Sequence, residues 1–70
     1  MQATHTAVIK QRADLRIGWI EEVPGVNCRE PTREALIESL RVTLSEAIAF
    51  NREDARLAAG KGFEELPIAV

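Results

Sequence analysis

The groups best suited to chemistry in this chain are four carboxylates in its first half, Asp14, Glu21, Glu22 and Glu30, together with one imidazole, His5, and one thiol, Cys28. Hydrolysis by a metal pair requires several carboxylates converging on divalent cations. These four fall in turns or at segment ends, and the middle of the first β-patterned segment carries no acid, so solvated charge is their expected role. His5 and Cys28 could form a thiol–imidazole pair only if their segments met, and no third group is placed to orient the imidazole. Cys28 reads as a small buried hydrophobe, and His5 as an ordinary strand residue near the terminus. A single imidazole and a single thiol do not supply a dedicated metal cluster, so neither metal nor cofactor is expected. Gly60-Lys61-Gly62 looks like part of a phosphate loop, but a Walker loop runs G-x-x-x-x-G-K-S/T into a helix, and this tripeptide follows one. It reads as a helix stop. The expectation is a chain without catalytic residues, and therefore not an enzyme.

Binding is the remaining class. Arginines 12, 16, 29, 33, 41, 52 and 56 are dispersed among acids, so no basic stripe marks a nucleic-acid face. The net charge of −2 does not favour the phosphate backbone either, and suits a basic protein partner better. Trp19 alternates with Ile17, which makes core packing the first expectation for it. Tryptophan is also enriched at interface hot spots, so an anchor for a partner is the second.

The elements that must position these residues follow from hydrophobic periodicity. Residues 3–11 are rich in β-branched side chains and read as a strand, with His5, Ala7 and Ile9 on one face and Thr4, Thr6, Val8 and Lys10 on the other. Arg12-Ala13-Asp14 is a polar hairpin turn. Residues 15–21 alternate again, Leu15, Ile17 and Trp19 against Arg16, Gly18 and Ile20, and Gly18 marks a bulge or a close backbone approach. Pro24-Gly25 is a turn, and Val26-Asn27-Cys28 is a short third strand. Thr32 is an N-cap with Glu34 in the first turn, after which Leu36, Leu40, Leu44, Ala47 and Ile48 recur at helical spacing. A helix over 33–59 would be about 40 Å long against strands of ~20 Å, so it either overhangs the sheet or kinks or breaks near Asn51, where Asn51 and Asp54 could cap a new start. Residues 66–70 are a final strand in which Pro67 requires an edge or a bulge. The expected class is α+β, in the order β-β-β-α-β, with one long helix, straight or kinked, on one face of the sheet. Val8, Ile20 and their companions are then left on the uncovered face.

Seventy residues make a single domain, 1–70, at 46% hydrophobic and 29% charged. Chains of this size bury only about 60% of their unfolded surface and usually add a staple. One cysteine excludes an intrachain disulfide, which leaves homo-oligomerisation. No apolar run approaches the roughly 18 residues of a membrane span, and Met1-Gln2-Ala3-Thr4-His5 lacks a signal-peptide pattern. A cytoplasmic location without membrane attachment is expected.

The segment Ile17-Gly18-Trp19-Ile20-Glu21-Glu22-Val23-Pro24-Gly25-Val26, followed by Pro31-Thr32-Arg33-Glu34-Ala35-Leu36, resembles the HicB-like antitoxins of bacterial toxin–antitoxin systems. That family shows a strand ending in Gly-aromatic, a Leu/Val-Pro-Gly turn, a short strand, and Thr-x-Glu-Ala at the helix start. Gly18-Trp19, Val23-Pro24-Gly25 and Thr32-Arg33-Glu34-Ala35 match it in order, over roughly residues 6–50. The resemblance implies a truncated ribonuclease-H-like sheet without ribonuclease activity. It also implies a protein partner, a HicA-like toxin, which is a small basic RNA-cleaving protein whose catalytic surface the antitoxin obstructs. Many members carry a C-terminal DNA-binding domain; here a single domain without one is expected, which leaves the family's direct DNA binding and autoregulation without a basis in this sequence. The residues expected to bind the partner are Trp19, Glu21, Glu22, Val26 and Glu30. The rival expectation is a stand-alone structural or regulatory oligomer of the same fold with no toxin.

Pro31-Thr32-Arg33-Glu34 directly precedes the apolar periodicity. Thr32→Ala should therefore cost about 1 kcal/mol, as for a good N-cap. Urea melts of both proteins measure this as a lower midpoint, and an unchanged midpoint would place the helix start elsewhere.

Overall fold

The computed structural model describes residues 4–69. Three strands, β1 (Ala7–Arg12), β2 (Leu15–Ile20) and β3 (Asn27–Glu30), precede one helix, α1 (Arg33–Ala59). The sheet is antiparallel throughout, in the order β1-β2-β3. This is a small α+β domain.

Each local signal acts over a few residues. β1 and β2 are joined by the two-residue turn Ala13-Asp14, with Arg12 opposite Leu15. Ala13 holds φ 53 there, a left-handed conformation that costs a non-glycine residue on the order of 1 kcal/mol. Between β2 and β3, Pro24 and Gly25 occupy the centre of a β-turn closed by the Val26 N–H donating to the Val23 carbonyl at 3.4 Å. Gly25 sits at φ 93, which the second central position of a type II turn requires. Thr32 caps α1 as expected: its backbone is extended and its Oγ1 accepts from the Ala35 N–H at 3.1 Å. The helix ends at Gly60, whose N–H donates to the Arg56 carbonyl at 3.1 Å.

The helix lies on the face formed by Ile9, Gly18, Ile20 and Cys28. Ile20, Val26, Leu36 and Leu40 form the buried core, and Ile9, Val23, Cys28, Leu44 and Ala47 pack around it. Gly18 sets the depth of this packing. A Cβ built there would lie 3.0 Å from Leu40 Cδ1, 3.1 Å from Ile9 Cγ2 and 3.1 Å from the Val8 carbonyl oxygen. The β1–β2 register runs unbroken from Ala7↔Ile20 to Arg12↔Leu15, so Gly18 marks a close approach and not a bulge.

Two expectations are corrected, and the choice between an overhanging and a broken helix is decided. Ile20 is core and Trp19 is on the uncovered face, the reverse of the expected assignment, because the helix settles where Gly18 lets it come closest. Alpha helix α1 runs continuously through Asn51 with no break. Its second half overhangs the sheet instead, every residue from Ala49 to Gly60 being exposed, and the molecule is 51 Å long. The closing strand is also absent among the described residues: 66–69 pair with nothing, and Val70 lies outside them. The overhang carries the chain away from the sheet before this segment begins. The observed order is β-β-β-α.

Gly18→Ala should destabilise the domain by ~1–3 kcal/mol, the usual cost of overpacking, because one of the three neighbours is backbone and cannot turn aside. Thermal or urea melts check this; a neutral or stabilising result would show that the helix does not press on β2.

Candidate partner-binding surface

Antiparallel register and strand alternation divide the sheet into two faces. One is under the helix. The other presents Val8, Lys10 and Arg12 from β1, Leu15, Ile17 and Trp19 from β2, and Asn27 and Arg29 from β3. No element among the described residues covers it. Trp19 and Leu15 are 37% and 39% exposed, although both are large and apolar. Ile17, Trp19, Asn27 and Arg29 line a shallow depression of about 300 Å³ between β2 and β3. Lys10, opposite Ile17, and Arg29, on its other side, place cations along both flanks of the apolar strip.

At the end of β2 the chain enters the loop that carries Glu21 and Glu22, both exposed. The Glu22 carboxylate accepts from the Thr6 N–H at 2.8 Å, and the Thr6 carbonyl accepts from the Glu21 N–H at 2.9 Å. Thr6, just before β1, is thus held to the loop by both its backbone groups. The hydrogen bond from the Thr6 backbone holds the Glu22 carboxyl below its ordinary pKa. Its charge is fixed in place just beyond the end of Trp19's strand.

Of the residues expected to meet a partner, Trp19, Glu21 and Glu22 are accessible on one side and one end of the sheet. The structure gives Val26 and Glu30 other roles. Val26 is 2% exposed within the core. Glu30 is half-buried on the helix side, opposite Arg16, and accepts from the Ser39 hydroxyl at 2.7 Å, which ties β3 to α1. Leu15, Ile17, Lys10 and Arg29 were not singled out by the sequence reading. The β2 alternation already grouped the first two with Trp19; the register adds the cations.

The groups considered for chemistry do not converge. His5 is exposed ahead of β1, and Cys28 is half-buried in β3, with β2 between them; the thiol lies 3.5 Å from Thr43 Oγ1. No cluster of three or more His, Cys, Asp and Glu side chains occurs among the described residues. No helix among them is long and apolar enough to cross a membrane. No protein-family model, no curated protein and no solved structure matches the chain.

The Glu22–Thr6 bond yields a pH prediction. A lowered folded-state pKa contributes stability that is present above the unfolded value and is lost as pH falls through the folded one. The Thr6 amide proton resonance should therefore titrate with Glu22, at a midpoint below that of an ordinary glutamate, and Glu22→Gln should abolish the titration. A Thr6 amide indifferent to pH between 2 and 6 (roughly the carboxylate range) would show that the bond does not form.

Proposed function

We propose that this chain is a noncatalytic binding module, a HicB-like antitoxin domain that neutralises a HicA-like, mRNA-cleaving toxin in the cytoplasm by covering its active surface. The observation that carries this reading is the uncovered sheet face. Leu15, Ile17 and Trp19 form an apolar strip in the middle of a three-stranded sheet whose other face is already filled by α1. A partner that covers the strip removes large apolar side chains from water, and Trp19, at the end nearest Glu21 and Glu22, is the residue type most often found as a hot-spot anchor. Glu21 and Glu22 at the end of the strip would meet basic groups, as a small RNA-cleaving protein supplies, while Lys10 and Arg29 would require acidic or carbonyl groups on the same partner. The proposal includes the truncated ribonuclease-H-like descent that the resemblance implies, for which a β-β-β-α order leaves room.

Opposite charge mainly speeds encounter, and apolar contact holds the complex once formed. Glu21→Lys with Glu22→Lys should slow association severalfold and weaken its salt dependence. Trp19→Ala should raise the dissociation rate at least tenfold while the circular dichroism spectrum is unchanged, since the side chain is outside the core. The deciding experiment is co-purification with the product of a neighbouring small gene, then RNA cleavage by that product with and without this chain. Suppression at equimolar ratio supports the reading. Undiminished cleavage with this chain in excess overturns it, and the stand-alone oligomer takes its place, a reading favoured by the exposed Phe50 and Leu57 of the overhang.

A further inference from the structure

The open sheet face and the overhanging half of α1 carry matching patterns. On the sheet, the apolar middle strand lies between Lys10 and Arg12 of β1 on one side and Arg29 of β3 on the other, and the face carries no acid. These three cations are exposed and make no ion pair among the described residues. On the overhang, Phe50 (69% exposed) and Leu57 (74%) lie within about 20° of each other around the helix. Glu46 and Glu53 are turned about 40–60° to one side of this stripe, and Asp54 about 40° to the other. None of these acids makes an ion pair among the described residues. The cations of the overhang, Arg52 and Arg56, are turned about 100° or more away from the stripe, and Arg56 is held by Glu65.

The overhang cannot cover the open face of its own chain, because α1 leaves the sheet along the opposite face. A second copy can present it. We propose that residues 46–57 of one copy lie along the open sheet face of another, parallel to β2, with Leu57 against Trp19 and Phe50 over Leu15 and Ile17. The lengths agree: Phe50 to Leu57 is two helical turns, about 10 Å, and Leu15 to Trp19 along β2 is about 13 Å.

Charge fixes the direction. The Glu21 N–H donates to the Thr6 carbonyl, so Thr6–Glu21 and, by alternation, Lys10–Ile17 and Arg12–Leu15 are hydrogen-bonded pairs. For L-residues this places β1 to the right of an upward-running β2 seen from the open face, and β3 to the left. A right-handed helix laid parallel to β2 then turns Glu46 and Glu53 toward Lys10 and Arg12, and Asp54 toward Arg29. Two acids meet two cations on one flank, and one meets one on the other. The reverse direction would mismatch both flanks.

The contact covers on the order of 1,000 Å² over both copies, at the low end for a specific interface, so dissociation constants of about 10–100 µM are expected. It is head-to-tail: each copy offers its face to one neighbour and its overhang to another, so two copies do not close it. The same face is assigned above to a toxin, so self-association and toxin binding would compete. The inference does not rest on that reading, and its test uses this chain alone.

Light scattering from about 1 to 500 µM should give an average mass rising from the 7.8 kDa of one chain to more than twice that value. Emission of Trp19, the only tryptophan, should move to shorter wavelength over the same range. Phe50→Gln with Leu57→Gln removes the stripe, and Lys10→Glu with Arg29→Glu reverses the flanks of the face. All four positions are exposed, so each double variant should be monomeric with unchanged circular dichroism. Mixed in equal amounts, the two should form a one-to-one pair and go no further, since one keeps an intact face and the other an intact overhang. A wild-type monomer at every concentration, association retained by either double variant, or a mixture that stays monomeric would each overturn the proposal.

Discussion

The approach of Leu40 to Gly18 is the contact on which the rest of the domain depends. A strand residue without a Cβ lets α1 come close over the middle of β2, and the four buried side chains, Ile20, Val26, Leu36 and Leu40, close around that point. Val26 belongs to this group because the type II turn at Pro24-Gly25 folds it back, its carbonyl accepting from the Ile20 N–H at 3.3 Å. Polar links then fasten the periphery: Glu30 to Ser39 at one side of the helix, and Thr6 to Glu21 and Glu22 at the start of β1. The exposed Glu38–Arg41 pair adds little, as solvent screens it.

A core of four buried residues is small for a chain of this length, and the reason is geometric. A sheet of six-residue strands supports roughly half of a 27-residue helix. The remaining half projects with its apolar side bare. Such a helix would fray in isolation, since helices of a dozen residues are marginal in water without tertiary contacts. Its Ala-rich composition and the Gly60 stop favour the helical state locally, and surface association is what would make it worthwhile to the fold as a whole.

The two faces of the sheet divide the work. The helix side is committed to folding. The open side combines an apolar centre, cationic flanks and an acidic end, a pattern that can select one partner and one orientation. Burying Trp19, Ile17 and Leu15 under a partner would complete the sheet as a layered structure, in which both faces are covered.

The sequence by itself determined the features that rest on a few consecutive residues. Thr32 as N-cap, Gly60 as helix stop, Pro24-Gly25 as a turn and the alternation in β1 and β2 are each set by local dihedral preference or by the need to satisfy nearby backbone groups, and each was legible. Of the expected site, Trp19, Glu21 and Glu22 were found on the accessible surface, while Val26 and Glu30 are occupied within the fold. Alternation assigns residues to two sets but does not say which set the helix will cover; the steric room above Gly18 decided that, and it put Ile20 inside and Trp19 outside. Likewise, Asn51 and Asp54 permit a new helix start without requiring one, and continuous hydrogen bonding prevailed over a break that no packing rewarded. The position of residues 66–69 was not legible at all, because a segment of strand-like sequence becomes a strand only where an edge lies within its reach, and that distance is set by the length and direction of the helix before it.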